Sequence, residues 1–229
     1  GDTIRVSLTE APEKEIPVAK TLMKTTMDLQ RELNIPTLQE IPFNPFEHTK
    51  RQTDDHHILG GNHPPVVIVQ ARDLQQYSGV LQPDLVWENH PAPSKQPEGI
   101  PRIIPHESWL KQECTSGDYP FFNSLDHYIT TNKKPESPAF VLSGLNEWEH
   151  ISKLTTYQNL VLVLKAHTEN PPAEQRRFIF ELIKHNLKIP VIINRSYQKQ
   201  DADTLRIVSA SETGSLFTDG LAEGIFIEN

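Results

Sequence analysis

Two stretches of this chain, Val66-Val67-Ile68-Val69 and Leu160-Val161-Leu162-Val163-Leu164, are apolar at every position. A strand with one wet face alternates polar and apolar residues, so a run that never alternates asks for cover on both faces, as a parallel sheet between helices provides. That narrows the fold class at once. Further short apolar runs at 85–87, 102–104, 140–142, 191–193, 205–208 and 225–227 bring the candidate strands to eight. Helical periodicity fills the gaps between them. The clearest helix covers 173–187, entered through Pro171-Pro172 and ended by Ile189-Pro190, with Phe178, Leu182 and either Phe180 or Ile183 facing inward. Others are expected near Leu74, Trp109, Leu125 and Ile151. Strands alternating with helices from residue 65 to 229 predict an α/β domain. A complete (β/α)8 barrel usually needs about 250 residues, so the expectation is a short or degenerate TIM-barrel-like domain, with an open doubly wound parallel sheet as the alternative.

Composition removes whole classes of function. The 229 residues hold 30 Asp and Glu against 22 Lys and Arg, a net charge of −8. Phosphate backbones have no general reason to bind such a surface, so no nucleic acid is expected. No apolar run approaches the roughly 20 residues that span a bilayer, so no membrane is expected either. One cysteine, Cys114, cannot close an internal disulfide, nor alone hold a structural zinc or an iron–sulfur cluster. The opening residues carry no basic or apolar leader, which predicts a cytoplasmic location.

The first 64 residues differ in kind from the rest. Residues 4–8 have the residue types of a strand, and Thr9-Glu10-Ala11-Pro12-Glu13 reads as a helix start with Thr9 as N-cap. That helix is expected to reach about Leu33, with Ile16, Ala19, Met23 and Met27 on its apolar face. Residues 34–64 show neither period and read as an irregular arm. The expected division is therefore 1–33, 34–64 and 65–229. In the first strand Arg5 and Ser7 would share a face, a planar five-donor guanidinium and a hydroxyl about 7 Å apart. Such a pair suits an anion such as diphosphate, although an ordinary solvated strand face would look the same.

The wording of several segments resembles one family. Gly1-Asp2-Thr3-Ile4-Arg5-Val6-Ser7-Leu8-Thr9 resembles the end of the catalytic barrel in the 4-hydroxy-3-methylbut-2-enyl diphosphate synthases of non-mevalonate isoprenoid synthesis. Phe43-Asn44-Pro45-Phe46, Lys50-Arg51 and Gly60-Gly61-Asn62-His63-Pro64-Pro65 are similar to the start of the large inserted domain found in the plastid and some bacterial members. Gly214-Ser215-Leu216-Phe217-Thr218-Asp219-Gly220-Leu221 is similar to its end. The resemblance implies an oxidoreductase that reductively opens a methylerythritol cyclodiphosphate, in the bacterial cytoplasm or the plastid stroma. It implies a 4Fe–4S cluster fed singly with electrons by ferredoxin or flavodoxin. It also implies that Arg5 and Ser7 bind the substrate's diphosphate, while the other phosphate-binding residues lie before Gly1. The three cluster cysteines and the acidic catalytic residue would lie beyond Asn229. This chain is then expected to hold no catalytic residue, no metal and no cofactor of its own, with the flanking barrel and cluster domains as its partners.

Other candidates receive plainer readings. His48, His56, His57 and His63 with Asp54 and Asp55 are ligand types for divalent ions, but their spacing reads as a solvated polar loop. Gly60-Gly61 lacks the Gly-Lys-Ser or Gly-Lys-Thr ending of a phosphate loop and reads as a turn. Cys114 reads as an inert thiol, and Trp87, Trp109 and Trp148 as core or interface aromatics, Trp148 following Glu147 at a helix start. A second function stays open beside the structural one: a regulatory module binding a small anion at the strand ends, near Gln70, Arg72, Ser143, Lys165, His167, Asn194 and Arg195.

Overall fold

The computed structural model describes residues 3–29, 35–40, 43–44, 46–77, 81–88, 99–111 and 117–229, without the side chains of 75–77. Eight strands follow in chain order: β1 (Val66–Gln70), β2 (Leu85–Trp87), β3 (Arg102–Pro105), β4 (Asp118–Phe122), β5 (Ala139–Ser143), β6 (Leu160–Lys165), β7 (Val191–Ser196) and β8 (Gly224–Glu228). All neighbours are parallel, and β1 also pairs with β8 through Val66↔Gly224, Val67↔Ile225 and Ile68↔Phe226. That last ladder closes the sheet into the barrel form and excludes the open one. Gly224 sits where the closure is tightest, since a Cβ there would lie 2.5 Å from Ile192 Cδ1 and 2.9 Å from the Val66 carbonyl oxygen.

Alternation sorts the strand residues into two cores. Val66, Ile68, Leu85, Ile103, Phe121, Phe140, Val161, Val163, Ile192 and Phe226 fill the lumen. Ala139, Val141, Leu160, Leu162, Leu164, Val191 and Ile193 point outward, under the 3-10 helix Leu145–Thr156 and the α-helices α3 (Leu125–Thr130), α4 (Pro171–Lys184) and α5 (Ala202–Thr218). Burial on both faces explains the uninterrupted apolar runs of β6 and β7. The 3-10 helix Ala71–Tyr77 and the six-residue α2 (His106–Lys111) lie beside β1 to β4. Among the described residues no helix is long and apolar enough to cross a membrane.

The structure corrects several expectations. Residues 205–208 belong to α5, which begins when Asp201 accepts the Thr204 N–H at 2.9 Å; the cap and the following turns override four strand-like residues. The eighth strand is instead β4, obscured in sequence by Pro120, although its ladder with β5 starts one residue later at Phe121. On α4 the inward residues are Phe178, Ile179 and Leu182, while Phe180 and Ile183 are only partly buried. Residues 4–8 form no strand, because a strand needs a ladder partner and no described segment pairs with them. Thr9 is not a cap: a 3-10 turn over Pro12–Lys14 leads into α1 (Glu15–Leu29), preset by the fixed φ of Pro12. The expected end at Leu33 lies outside the described residues.

Helix α1 turns its expected apolar face to water. Ile16, Met23 and Met27 are 59%, 49% and 61% exposed, whereas Thr25 is buried on the side that packs against α5.

Candidate functional site

In a barrel of parallel strands the C-terminal mouth is where side chains can converge on a ligand. Lumen-side alternation continues past Ile68, Val163, Ile192 and Phe226 to Gln70, Lys165, Asn194 and Glu228, with Ser196 two residues further along β7. The Glu228 carboxylate is held there by neutral donors. Gln70 Nε2 donates to it at 2.9 Å, Asn194 Nδ2 at 3.0 Å and Ser196 Oγ at 2.9 Å. Below lies an aromatic floor in which Trp87 meets Phe121 edge-on at 4.1 Å and Phe226 at 5.3 Å. Sequence reading named Gln70, Lys165 and Asn194 but passed over Glu228; the alternation Gly224-Ile225-Phe226-Ile227-Glu228 would have placed it beside Phe226 on the lumen side.

Other strand-end candidates are engaged elsewhere. Arg195 points outward, donating through Nε and Nη2 to one Glu212 oxygen at 3.0 and 2.7 Å, and the Tyr197 hydroxyl donates to the same oxygen at 2.8 Å. Burial raises the Tyr197 pKa, and the Glu212 carboxylate adds to the effect. The buried Glu174 carboxylate accepts the His167 and Thr168 N–H groups at 2.8 and 2.7 Å, occupying backbone donors that an external anion would use. His167 itself is exposed.

The N-terminal mouth is stoppered by residues 46–63. Leu59 is fully buried within the lumen core. Arg51 donates to the Ile189 carbonyl and lies 3.6 Å from Glu223, whose carboxylate accepts the Val191 N–H at 2.7 Å. Burial lowers the Arg51 pKa and raises that of Glu223. Gly60, at φ +82°, makes the expected turn and accepts no side chain, since a Cβ would fall 2.0 Å from the Asp54 carbonyl oxygen. His56 corrects the reading of a fully solvated polar loop: it is 6% exposed, and desolvation lowers its pKa. His63 Nε2 pairs with Asp55 Oδ1 at 3.2 Å. Among the described residues no three His, Cys, Asp or Glu side chains gather to hold a metal. Upstream the arm follows α4. Asn170 Nδ2 reaches the Leu29 carbonyl, Arg177 Nε the Pro36 carbonyl at 2.7 Å, and Phe43 packs on Phe180 at 5.0 Å, beside a cavity of about 600 Å³.

Arg5 and Ser7 are exposed and in no strand. Trp87 is a lumen aromatic, Trp109 donates to the Asp118 carbonyl at 3.3 Å, and Trp148 lies under the Arg177 guanidinium at 5.3 Å. Cys114 lies outside the described residues. A single cysteine in the whole sequence cannot supply the ligands of a 4Fe–4S cluster.

No family model matches the chain. Curated proteins do. A 4-hydroxy-3-methylbut-2-en-1-yl diphosphate synthase (flavodoxin) from Bacteroides thetaiotaomicron is 31% identical over 231 residues, covering 100% of this chain and 37% of that protein. The same-named protein of Phocaeicola vulgatus is 30% identical with the same coverage. Along its whole length, this chain is similar to one segment of proteins named 4-hydroxy-3-methylbut-2-en-1-yl diphosphate synthase. It spans a little over a third of the length of those relatives. A synthase of the ferredoxin type from Prochlorococcus marinus is 80% identical over 25 residues, 11% of this chain.

Proposed function

We infer that this chain is the middle of a reductive synthase that converts 2-C-methyl-D-erythritol 2,4-cyclodiphosphate to 4-hydroxy-3-methylbut-2-enyl diphosphate. The carrying observation is the match of the entire chain to 37% of the length of synthases bearing that name. In this reading residues 65–229 are an inserted, non-catalytic barrel, 34–64 its arm, and 1–33 the last strand and helix of the catalytic barrel. The exposed Ile16, Met23 and Met27 support the last assignment, since an apolar helix face in water is complete only against another body. Residues 4–8 would gain a ladder partner in the same neighbour, bringing Arg5 and Ser7 to the substrate's diphosphate as charged and neutral donors. The cluster and its electron donor, flavodoxin or ferredoxin, belong to the rest of the enzyme.

The geometry gives the spacer a particular form. The Leu29 carbonyl accepts from Asn170 at the start of α4, and Asn229 exchanges hydrogen bonds of 2.9 and 3.1 Å with Gln200 just before α5. Both flanks therefore leave from one end of the barrel, side by side, as an inserted domain requires. The insert thus keeps two flanks together instead of standing between them.

Two measurements test this on the full-length enzyme. Arg5→Ala is expected to raise KM with little change in kcat, and a wild-type KM would remove Arg5 from the diphosphate site. Specific activity is expected to hold on dilution, because the flanks meet within one chain. A loss in step with dimer dissociation would sink the intrachain arrangement.

A further inference from the structure

The C-terminal mouth carries two opposite charges that do not neutralise each other. Among the described residues Glu228 is fixed by three neutral donors and makes no ion pair, and no carboxylate lies within ion-pair distance of the Lys165 ammonium. Lys165 pairs in register with Asn194, and Asn194 with Phe226, so the amine and the carboxylate rise from strands separated by one strand. Glu228 stands two residues beyond Phe226, so the two backbones are about 12 Å apart, a span that two long side chains can close around a small molecule. A carboxylate offers about four acceptor positions, and three here are taken, two on Oε1 and one on Oε2. The position left on Oε2 suits a ligand hydroxyl. The ammonium suits an anion, and Trp87 packs on Phe226 on the carboxylate's side of the lumen.

We propose that this mouth binds a small hydroxylated organic anion, with Lys165 on the anionic group and Glu228 accepting from a hydroxyl. Gln70, Asn194 and Ser196 are positioning residues that hold the carboxylate in line. Outward-facing Arg195 takes no part, because Glu212 already holds it. The site stands on the mouth geometry alone and does not depend on the flanks or on the assignment of Arg5 and Ser7.

Amide chemical-shift titration of this chain tests it, with glycerol 3-phosphate and glycerate as separate probes and inorganic phosphate as the hydroxyl-free comparison. Saturable shifts at Lys165, Asn194 and Glu228 in the millimolar range are expected, with inorganic phosphate about tenfold weaker. Response to one probe alone identifies the anion as phosphate or carboxylate. Lys165→Met and Glu228→Gln should each weaken binding by about tenfold, Lys165→Arg should retain it, and Lys188→Met at the opposite mouth should leave it unchanged. Thermal melts of each variant separate lost binding from lost fold. Three results overturn the proposal: no shifts at millimolar probe, undiminished binding in folded Lys165→Met, or inorganic phosphate binding as tightly as glycerol 3-phosphate.

Discussion

The two halves of the barrel wall are built on different physics. From β5 to β7 most outward residues, among them Val141, Leu162 and Ile193, are apolar and lie buried beneath α3, α4, α5 and the 3-10 helix Leu145–Thr156. From β1 to β4 the strands run three to five residues against five or six in the other half, and outward Val67 is 43% exposed. The buried charges of this half form one network. Arg102 donates to both Asp118 oxygens at 2.9 and 2.8 Å and to Glu88 at 3.0 Å, tying β3 to β4 and to the end of β2. The Asp118 hydrogen bonds do most to raise the Arg102 pKa. One closed sheet can thus be held by hydrophobic cover on one side and by a buried guanidinium on the other.

The largest expected effect lies in that network. Arg102→Met leaves two carboxylates buried without their cation and should cost about 3 to 5 kcal/mol in urea unfolding. Adding Glu88→Leu and Asp118→Leu should return most of it, since an apolar isostere removes the stranded charges. A loss below about 1 kcal/mol for the single variant would erase the contrast between the halves. In the other half Leu162→Ala, fully buried under the helices, should cost about 3 kcal/mol through transfer and cavity terms, with little dependence on salt.

Histidine extends the contrast to pH. His106, on α2, is 6% exposed and stacks on Phe122 at 4.2 Å; Trp109, His127 and Lys134 face it, with Glu107 on its own helix. Burial lowers its pKa, and His127 adds to the effect. The unfolded chain then binds the proton more readily, so the penalty is absent above about pH 6.5 and grows as pH falls, until the native ring also titrates. The slope is at most about 1.4 kcal/mol per pH unit for one proton. His106→Phe should flatten the acid side of a stability–pH curve; His56 adds a parallel contribution at the N-terminal mouth. Last and smallest, Val67→Thr on the exposed outer face should stay within about 0.5 kcal/mol of wild type.

The same contrast decides what could be read in advance. Strands β6 and β7 were legible because double burial leaves an apolar run with no alternation, β1 because its run is apolar although outward Val67 is exposed, and α4 because two prolines open it and one closes it. β4 was hidden by Pro120 and by Asp118, whose charge is answered by a residue in another strand. Pairwise answers of that kind carry no period. Arg51 with Glu223, Arg102 with Glu88, and Glu228 with its three donors each join separate segments, so only the assembled sheet and arm bring them together. The apolar face of α1 was legible, but its exposure was not, because periodicity shows that a face is apolar and says nothing about which body covers it.

Leu59 occupies the lumen from outside the sheet. Anyone excising the barrel from a longer polypeptide at the first residue of β1 would therefore remove a stopper along with the arm, leaving a leucine-sized hole under the bottom layer and Glu223 without its cation. A workable excision point lies upstream of Pro36, where the arm first takes hold of α4. The unit expected to fold alone is accordingly longer than its eight strands and takes in part of the arm.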